Sequence, residues 1–313
     1  MKTSLSAKNT GRKKAFRGNE ISNTSNYLVS ILMTVIAILI LIPILLVFSI
    51  SFSSEEALSH GYKLIPEEFT FESYAILTKT GKSLARAYLN TIFYSFAGTA
   101  LSLFVMSLFA YVLSLKDFKH RNKFAFYAFL TTLFSAGLVP SYIINVRLLD
   151  LDNTIWIFLI PGLVAPFNVI ILRTFMQTNI PDSLLDAARL DGAGDWRIYW
   201  QIAMPLSKAG LATVGLTTLV ARWNDWFTGV LYIREADLIP VMTYLQKIQQ
   251  NLDFLKANAA LAGTAEGNAL LASIPSQSTR MAILVITILP IMVAYPFFQK
   301  YFVHGLTVGS VKG

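Results

Sequence analysis

The sequence predicts an all-α polytopic membrane protein with six transmembrane helices. Three observations predict it. Hydrophobic residues make up 54% of the chain and charged residues only 14%, where a soluble domain carries about 25% charged residues. The apolar residues gather in six runs, each near the roughly 20 residues needed to cross hydrocarbon, and they are apolar all round rather than along one stripe. Lysine and arginine crowd the segments on one side of those runs, as cytoplasmic flanks of membrane spans do.

The same composition excludes several kinds of function. There are no cysteines, hence no disulfides, thiolate metal sites or cysteine nucleophiles. The three histidines, His60, His120 and His304, are too scattered for a histidine metal centre. The net charge of +8 would suit nucleic acid, but the basic residues lie at membrane flanks, which makes lipid their partner.

Residues 1–26 carry Lys2, Lys8, Arg12, Lys13, Lys14 and Arg17 and read as a basic cytoplasmic tail. The first span is expected over 27–52. A cleavable leader needs a shorter apolar core and a small-residue cleavage site, so this span is expected to be retained. The other spans are expected at 88–114, 123–145, 153–176, 208–232 and 280–303. Residues 88–303 form the core domain.

Orientation follows from charge. The basic tail and the loop Lys116-Asp117-Phe118-Lys119-His120-Arg121-Asn122-Lys123 belong inside. Six crossings then place loop 181–206 and tail 304–313 inside as well, and 53–87, 146–152 and 233–279 outside. The first outer segment carries Glu55, Glu56, Glu67, Glu68 and Glu72 and reads as a small folded cap or a solvated linker. The last contains an Ala-rich stretch from Ala257 to Ala272 and is expected to be partly helical. Pro43, Pro140, Pro161, Pro166, Pro290 and Pro296 fall within spans, where they mark either kinks lining a cavity or ordinary irregularities.

The stretch 181–206, PDSLLDAARLDGAGDWRIYWQIAMPL, is polar and amphipathic between two apolar runs. Asp182 is a candidate N-cap for a helix through Leu190, and Asp195 for a second helix toward Pro205. Asp191-Gly192 is the break between them, since glycine takes positive φ freely. Ala187 and Ala188 allow another surface to approach closely. Charges at Asp186, Arg189, Asp191, Asp195 and Arg197 sit beside Leu184, Leu185, Trp196, Ile198 and Ile202. Such a loop reads as a docking surface.

Its residues resemble a known pattern. Asp186-Ala187-Ala188, Gly192, Ile202, Met204 and Pro205 match the E-A-A-x3-G-x9-I-x-L-P loop of ATP-binding-cassette importer permeases, with Asp for Glu and Met for Leu. The tail YPFFQKYFVHGLTVGSVKG (295–313), Asn90-Thr91, Ile180-Pro181 and Trp223-Asn224 are similar to MalG-like carbohydrate permeases, within them the LplC/YtcP subgroup. The resemblance implies a MetI-like permease fold in a bacterial plasma membrane and a sugar importer subunit without catalytic residues, metal or cofactor of its own. Its implied partners are a second, non-identical permease, an ATPase dimer that binds the ATP, and an extracytoplasmic solute-binding protein. Asp186, Ala187, Ala188, Gly192, Ile202 and Pro205 would couple to the ATPase, with His304 to Gly313 a further contact candidate. A peptide or amino-acid importer is the nearest alternative, and an ion channel a more remote one.

Two further stretches bear on mechanism. Lys79-Thr80-Gly81-Lys82-Ser83 looks like the end of a phosphate-binding loop, but the required earlier glycine is Ile76. No such cradle is expected here, so ATP hydrolysis belongs to a separate subunit. Ala221-Arg222-Trp223-Asn224-Asp225-Trp226-Phe227 lies in the fifth span, with Arg222 about 20 Å from the cytoplasmic end of that helix. Ionisable groups at such depth usually face the bundle interior or water. Arg222 and Asp225 could pair at i, i+3, and indole and amide groups suit sugar recognition, so Trp223, Asn224 and Asp225 are candidate pathway residues. An interfacial aromatic belt with a paired charge is the competing account.

Overall fold

The structure is a computed structural model that describes residues 23–79, 81–134, 136–257, 264 and 276–310. Most of the basic tail and of the Ala-rich stretch therefore lies outside the described residues, as do the last three residues. Side chains from residue 301 onward are likewise not described.

Helix α1 (Asn23–Ser51) leads into a cap of two short helices, α2 (Glu55–Ser59) and α3 (Glu72–Lys79). The long α4 (Gly81–Ser114) has 34 residues, about 51 Å at 1.5 Å per residue. Then come α5 (Arg121–Leu133), α6 (Leu138–Ile143) with a π-helical turn to Leu148, α7 (Trp156–Leu159) and α8 (Pro166–Asn179). The loop 181–206 holds α9 (Asp182–Leu190), α10 (Asp195–Ile198), a π-helical turn (Tyr199–Ala203) and α11 (Met204–Leu206). The chain continues in α12 (Lys208–Trp223), α13 (Phe227–Tyr232), α14 (Val241–Ala257) and α15 (Gln277–Ser310).

Of the six expected spans, the first, second and sixth are single helices. Thr24–Ser51, Lys82–Ser114 and Gln277–Pro296 are the three stretches among the described residues that alone are long and apolar enough to cross a membrane. The other three expected spans are interrupted, two of them at glycines in the left-handed region beside prolines. In the third, Gly137 takes φ +86° ahead of Pro140. In the fourth, Pro161 and Gly162 (φ +72°) separate α7 from α8, and Pro166 opens α8 at a position where its missing N–H costs nothing. In the fifth, α12 stops at Trp223 and α13 starts at Phe227. Apolar runs alone do not reveal such breaks, because membrane helices tolerate prolines when neighbours satisfy the freed carbonyls.

Helix α4 is the axis of the bundle. It packs against α8 and α12, while α15 packs on α12 and α1. The main core joins Met106, Tyr111 and Leu113 of α4 to Val169, Leu172 and Met176 of α8, with Ile198, Tyr199 and Ala203 from the loop. The outward apolar side chains of α1 are exposed, as a lipid- or partner-facing helix requires.

Segment 53–87, expected outside, is a folded cap rather than a linker. Phe52 stacks on Phe69 at 5.1 Å and meets Tyr74 at 5.0 Å, and Ser53 bridges Phe69 in a single antiparallel pair. Segment 233–279 is helical through Ala257. The last helix runs beyond residue 303 to Ser310.

Candidate functional site: a docking loop and a polar cavity at the helix breaks

The docking loop folds as two helices around a glycine turn. Helix α9 ends at Asp191, and Gly192 takes φ +79°. Gly192 N–H donates to the Arg189 carbonyl at 3.0 Å, and Ala193 N–H to the Ala188 carbonyl at 2.9 Å. That pair of bonds is a Schellman termination, in which the left-handed residue is most often glycine. The caps differ from expectation by one position. Pro181 and Gly194 occupy the N-cap positions, so Asp182 and Asp195 are first-turn residues. There their charge faces the positive end of the helix dipole, and the side chain of Asp182 is free to bind elsewhere.

Asp182 pairs with Lys116, and Asp117 accepts from Arg189 at 2.5 Å. Two ion pairs thus tie α9 to the loop after α4. The Asp117 hydrogen bond leads the influences that raise the Arg189 pKa above its ordinary value. Asp186 is only 4.0 Å from Arg189 and largely exposed. Ala188 and Ile202 pack on the core, Ala187 and Pro205 are exposed, and Leu190 (89% exposed) and Trp196 (63% exposed) stand out as apolar surface. One face of the loop is therefore anchored and the other is open for docking.

The anchor is Tyr199. It is buried on the π-helical turn, its hydroxyl lies 2.7 Å from Ser107 Oγ of α4, and its ring lies 5.5 Å from Tyr111. Through Ser207 the loop turns by 78° into α12, so a push on the loop reaches both α4 and α12 through packed side chains. Sequence reasoning missed Lys116, Asp117 and Tyr199, because nothing in local spacing shows which helix lies beneath the loop.

The breaks in the fourth and fifth spans open a cavity of about 410 Å³ between α4, α8 and α12. Its polar lining includes Asn168, Thr217, Thr218, Arg222, Asp225 and Thr228. Arg222 does not form the expected ion pair with Asp225. It donates instead to the Phe158 carbonyl at the broken fourth span and to Ser102 Oγ of α4 at 2.8 Å. Gly98 makes this fit possible, since a Cβ there would lie 2.7 Å from a guanidinium nitrogen. Asp225 accepts from Thr228 N–H at 3.1 Å and so starts α13. The break supplies a free helix N-terminus, and the aspartate accepts one of its N–H groups.

The other two candidate pathway residues sit differently. Trp223 is 2% exposed, its ring edge-on to Tyr88 at 6.0 Å, and its indole N–H has no partner. Asn224 ends α12 and returns its side-chain amide to the Val220 carbonyl at 2.9 Å. Of the three, Asp225 lines the cavity. Among the described residues no group of three or more metal-ligating side chains is assembled.

An integral membrane bundle with broken inner helices around a polar cavity, and an EAA-type loop anchored to that bundle, defines an importer permease. The chain belongs to the family described as binding-protein-dependent transport system inner membrane component, whose model matches residues 120–308. It is 34% identical over 278 residues to the polygalacturonan/rhamnogalacturonan transport system permease protein YtcP of Bacillus subtilis (strain 168), covering 88% of this chain and 94% of that one. It is 35% identical over 274 residues to protein LplC of the same organism, covering 87% and 90%. Among solved structures it is similar to a bacterial ABC transporter involved in the import of the acidic polysaccharide alginate, with TM-score 0.76, 33% identity and coverage of 91% of this chain and 99% of that one. The chain is thus a transporter subunit and not an enzyme, and it works with an ATPase and a solute-binding protein.

Proposed function

We propose that this permease carries acidic oligosaccharides, and that the cavity between α4, α8 and α12 is part of their path. The observation that carries the reading is Arg222. Its guanidinium lines the cavity, about 20 Å along α12 from its start, and among the described residues no carboxylate lies within ion-pair distance of it. A cation at that depth calls for an anionic or water-filled surrounding. Its hydrogen bonds go to a carbonyl and a hydroxyl, which leave its charge available to a passing carboxylate. The relatives support the sugar class, since they include permeases for polygalacturonan/rhamnogalacturonan and for arabinooligosaccharides, and the alginate importer. Among those relatives none is named for a peptide or amino acid.

In this reading Asp225 faces the substrate, while Trp223 and Asn224 hold the break open. The second, non-identical permease completes the path from the other side. Asp186, Ala187, Ala188, Gly192, Ile202 and Pro205 form the ATPase contact. Both termini and loop 181–206 face the cytoplasm. Weak binding in the permease suits transport, because tight binding there would slow release, so affinity resides in the binding protein.

The test is uptake by the reconstituted complex with its binding protein, comparing uronate oligosaccharides with neutral ones of equal length. Arg222→Gln is expected to lower uronate uptake about tenfold, the size of one lost charge-assisted contact, and to spare neutral sugars if any are carried. Equal uptake of uronates by wild type and Arg222→Gln would remove the acidic reading. Import of neutral sugars alone would leave a sugar permease without it.

A further inference from the structure

A second pocket, of about 480 Å³, lies on the cytoplasmic side where α4 ends. It is bounded by the start of α5, the end of α8 and the first residues of α9. Its polar lining includes Tyr111, Ser114, Lys116, Arg121, Gln177 and Asp182. Tyr111 is only 4% exposed, yet its hydroxyl has no hydrogen-bond partner. A buried hydroxyl without a partner is costly and calls for one.

The charge in this pocket is unbalanced in the same direction. Asp182 is the lining carboxylate, and Lys116 already holds it. Arg121 pairs with no carboxylate among the described residues. Arg173 of α8 repels it from nearby. Arg173 donates one N–H to Asn122 Oδ1 at 3.0 Å, while its Nε is buried without a partner. Arg121, a guanidinium without a carboxylate partner, and Lys116 line the pocket beside a buried hydroxyl donor, and together they make a receptor for a multivalent oxyanion.

We propose that this pocket binds a phosphate group, held by Arg121 and Lys116 with Tyr111 donating a hydrogen bond. The source the surroundings favour is an anionic lipid headgroup of the inner leaflet. The pocket sits where a transmembrane helix meets basic flank residues, Met176, Ile180 and Leu185 line its apolar side, and Phe124 and Tyr127 on α5 next to Arg121 are exposed apolar surface. A phosphate there competes with Asp182 for Lys116 and loosens one of the two ion pairs that fix α9. Headgroup occupancy would thereby alter the set of the docking loop.

The experiment uses the assembled transporter. Phosphatidylglycerol retained by the purified complex is counted by native mass spectrometry, and ATPase activity is measured in phosphatidylcholine vesicles with and without phosphatidylglycerol. The proposal expects Arg121→Gln to lose retained phosphatidylglycerol about tenfold and to lose the lipid dependence of ATPase activity, while Lys123→Gln, on the same basic flank outside the pocket, changes neither. Tyr111→Phe keeps the core packing and should reduce retention in the same direction, so the test survives if the arginine variant assembles poorly. Inorganic phosphate and glycerol phosphate, added to phosphatidylcholine vesicles, distinguish the sources. A response to them at millimolar concentration identifies a free-phosphate site, and no response together with Arg121-dependent phosphatidylglycerol retention identifies a headgroup site. Retention and activity that are equal in wild type, Arg121→Gln and Tyr111→Phe, with no phosphate response, would overturn it, as would an equal loss in Lys123→Gln.

Discussion

The carboxylate of Glu55 accepts hydrogen bonds from both the backbone N–H and the hydroxyl of Ser278, at 2.7 and 2.6 Å, across 223 residues of chain. Ser278 lies in the first turn of α15, so an anion from the cap satisfies a free N–H group at the start of the last helix. Ser73 Oγ donates to Ser278 Oγ at 2.7 Å and adds the cap's second helix to the same point. This end of the bundle is closed by the knot rather than by apolar packing alone.

A pH dependence follows. Burial acts to raise the Glu55 pKa, but the hydrogen bonds from Ser278 and its neighbours outweigh it, and the net shift is downward. A lowered carboxylate pKa means that the folded state binds its proton less readily than the unfolded state. The stabilisation is therefore fully present above the unfolded value near 4.5 and is lost as pH falls through the lower folded value. Glu55→Gln should lower the unfolding midpoint of the detergent-purified complex at neutral pH by an amount equivalent to about 1 kcal/mol, given charge-assisted bonds discounted for partial exposure. The gap between the two proteins should close on acidification below about pH 4. A constant gap from pH 7 to pH 3, read by thermal denaturation, would contradict this account.

The turn at Gly192 makes a graded prediction. Nothing lies within 4 Å of an added Cβ, so the penalty comes from φ +79° and not from a clash. Gly192→Asn should retain most transport, Gly192→Ala should lose about 1 kcal/mol locally, and Gly192→Val should lose more. Gly192→Asp adds an unpaired charge at the docking surface and should abolish uptake while the protein still reaches the membrane. Uptake assays beside membrane-fraction immunoblots decide the order. Normal sugar-dependent growth with Gly192→Asp would remove the loop from coupling.

Arg189 and Asp117 are exposed enough that their pairing contributes only about 0.5 kcal/mol to stability. Their effect should appear in coupling instead. Arg189→Asp is expected to raise basal ATPase activity relative to substrate-stimulated activity, and the swap Arg189→Asp with Asp117→Arg to restore the ratio in part. An unchanged ratio in the single variant would reduce this pair to surface decoration.

Membrane orientation can be read directly, since the chain has no cysteine of its own. Single cysteines at Ser4 and Ser310 should resist an impermeant thiol reagent in intact cells and react after permeabilisation. Labelling of either from outside would invert the proposed topology.

The socket of Arg222 predicts a close steric limit at Gly98. Gly98→Ala should shift the guanidinium from Ser102 and Phe158 and reduce transport, and Gly98→Leu should prevent assembly, because the contacted atoms are themselves held by hydrogen bonds. Wild-type uptake with Gly98→Leu would mean that Arg222 does not occupy this position.

The sequence by itself determined the membrane class, the places of the six apolar runs, and the docking loop with its glycine break. These rest on local quantities: run length, charge flanks and a residue that alone takes positive φ easily. It also marked 221–227 as unusual, because charge inside an apolar run is costly wherever the helix points. Tertiary structure decided the rest. Arg222 leaves Asp225 for Phe158 and Ser102 because a broken fourth span offers a free carbonyl and Gly98 leaves room for the guanidinium. Asp182 and Asp195 are first-turn residues rather than caps because Lys116 draws one of them aside and Gly194 fills the other's place. Trp223 faces Tyr88, and Tyr199 locks the loop onto α4, through contacts between residues far apart in the chain. Such partners are fixed by how the helices pack, and no spacing along the sequence encodes them.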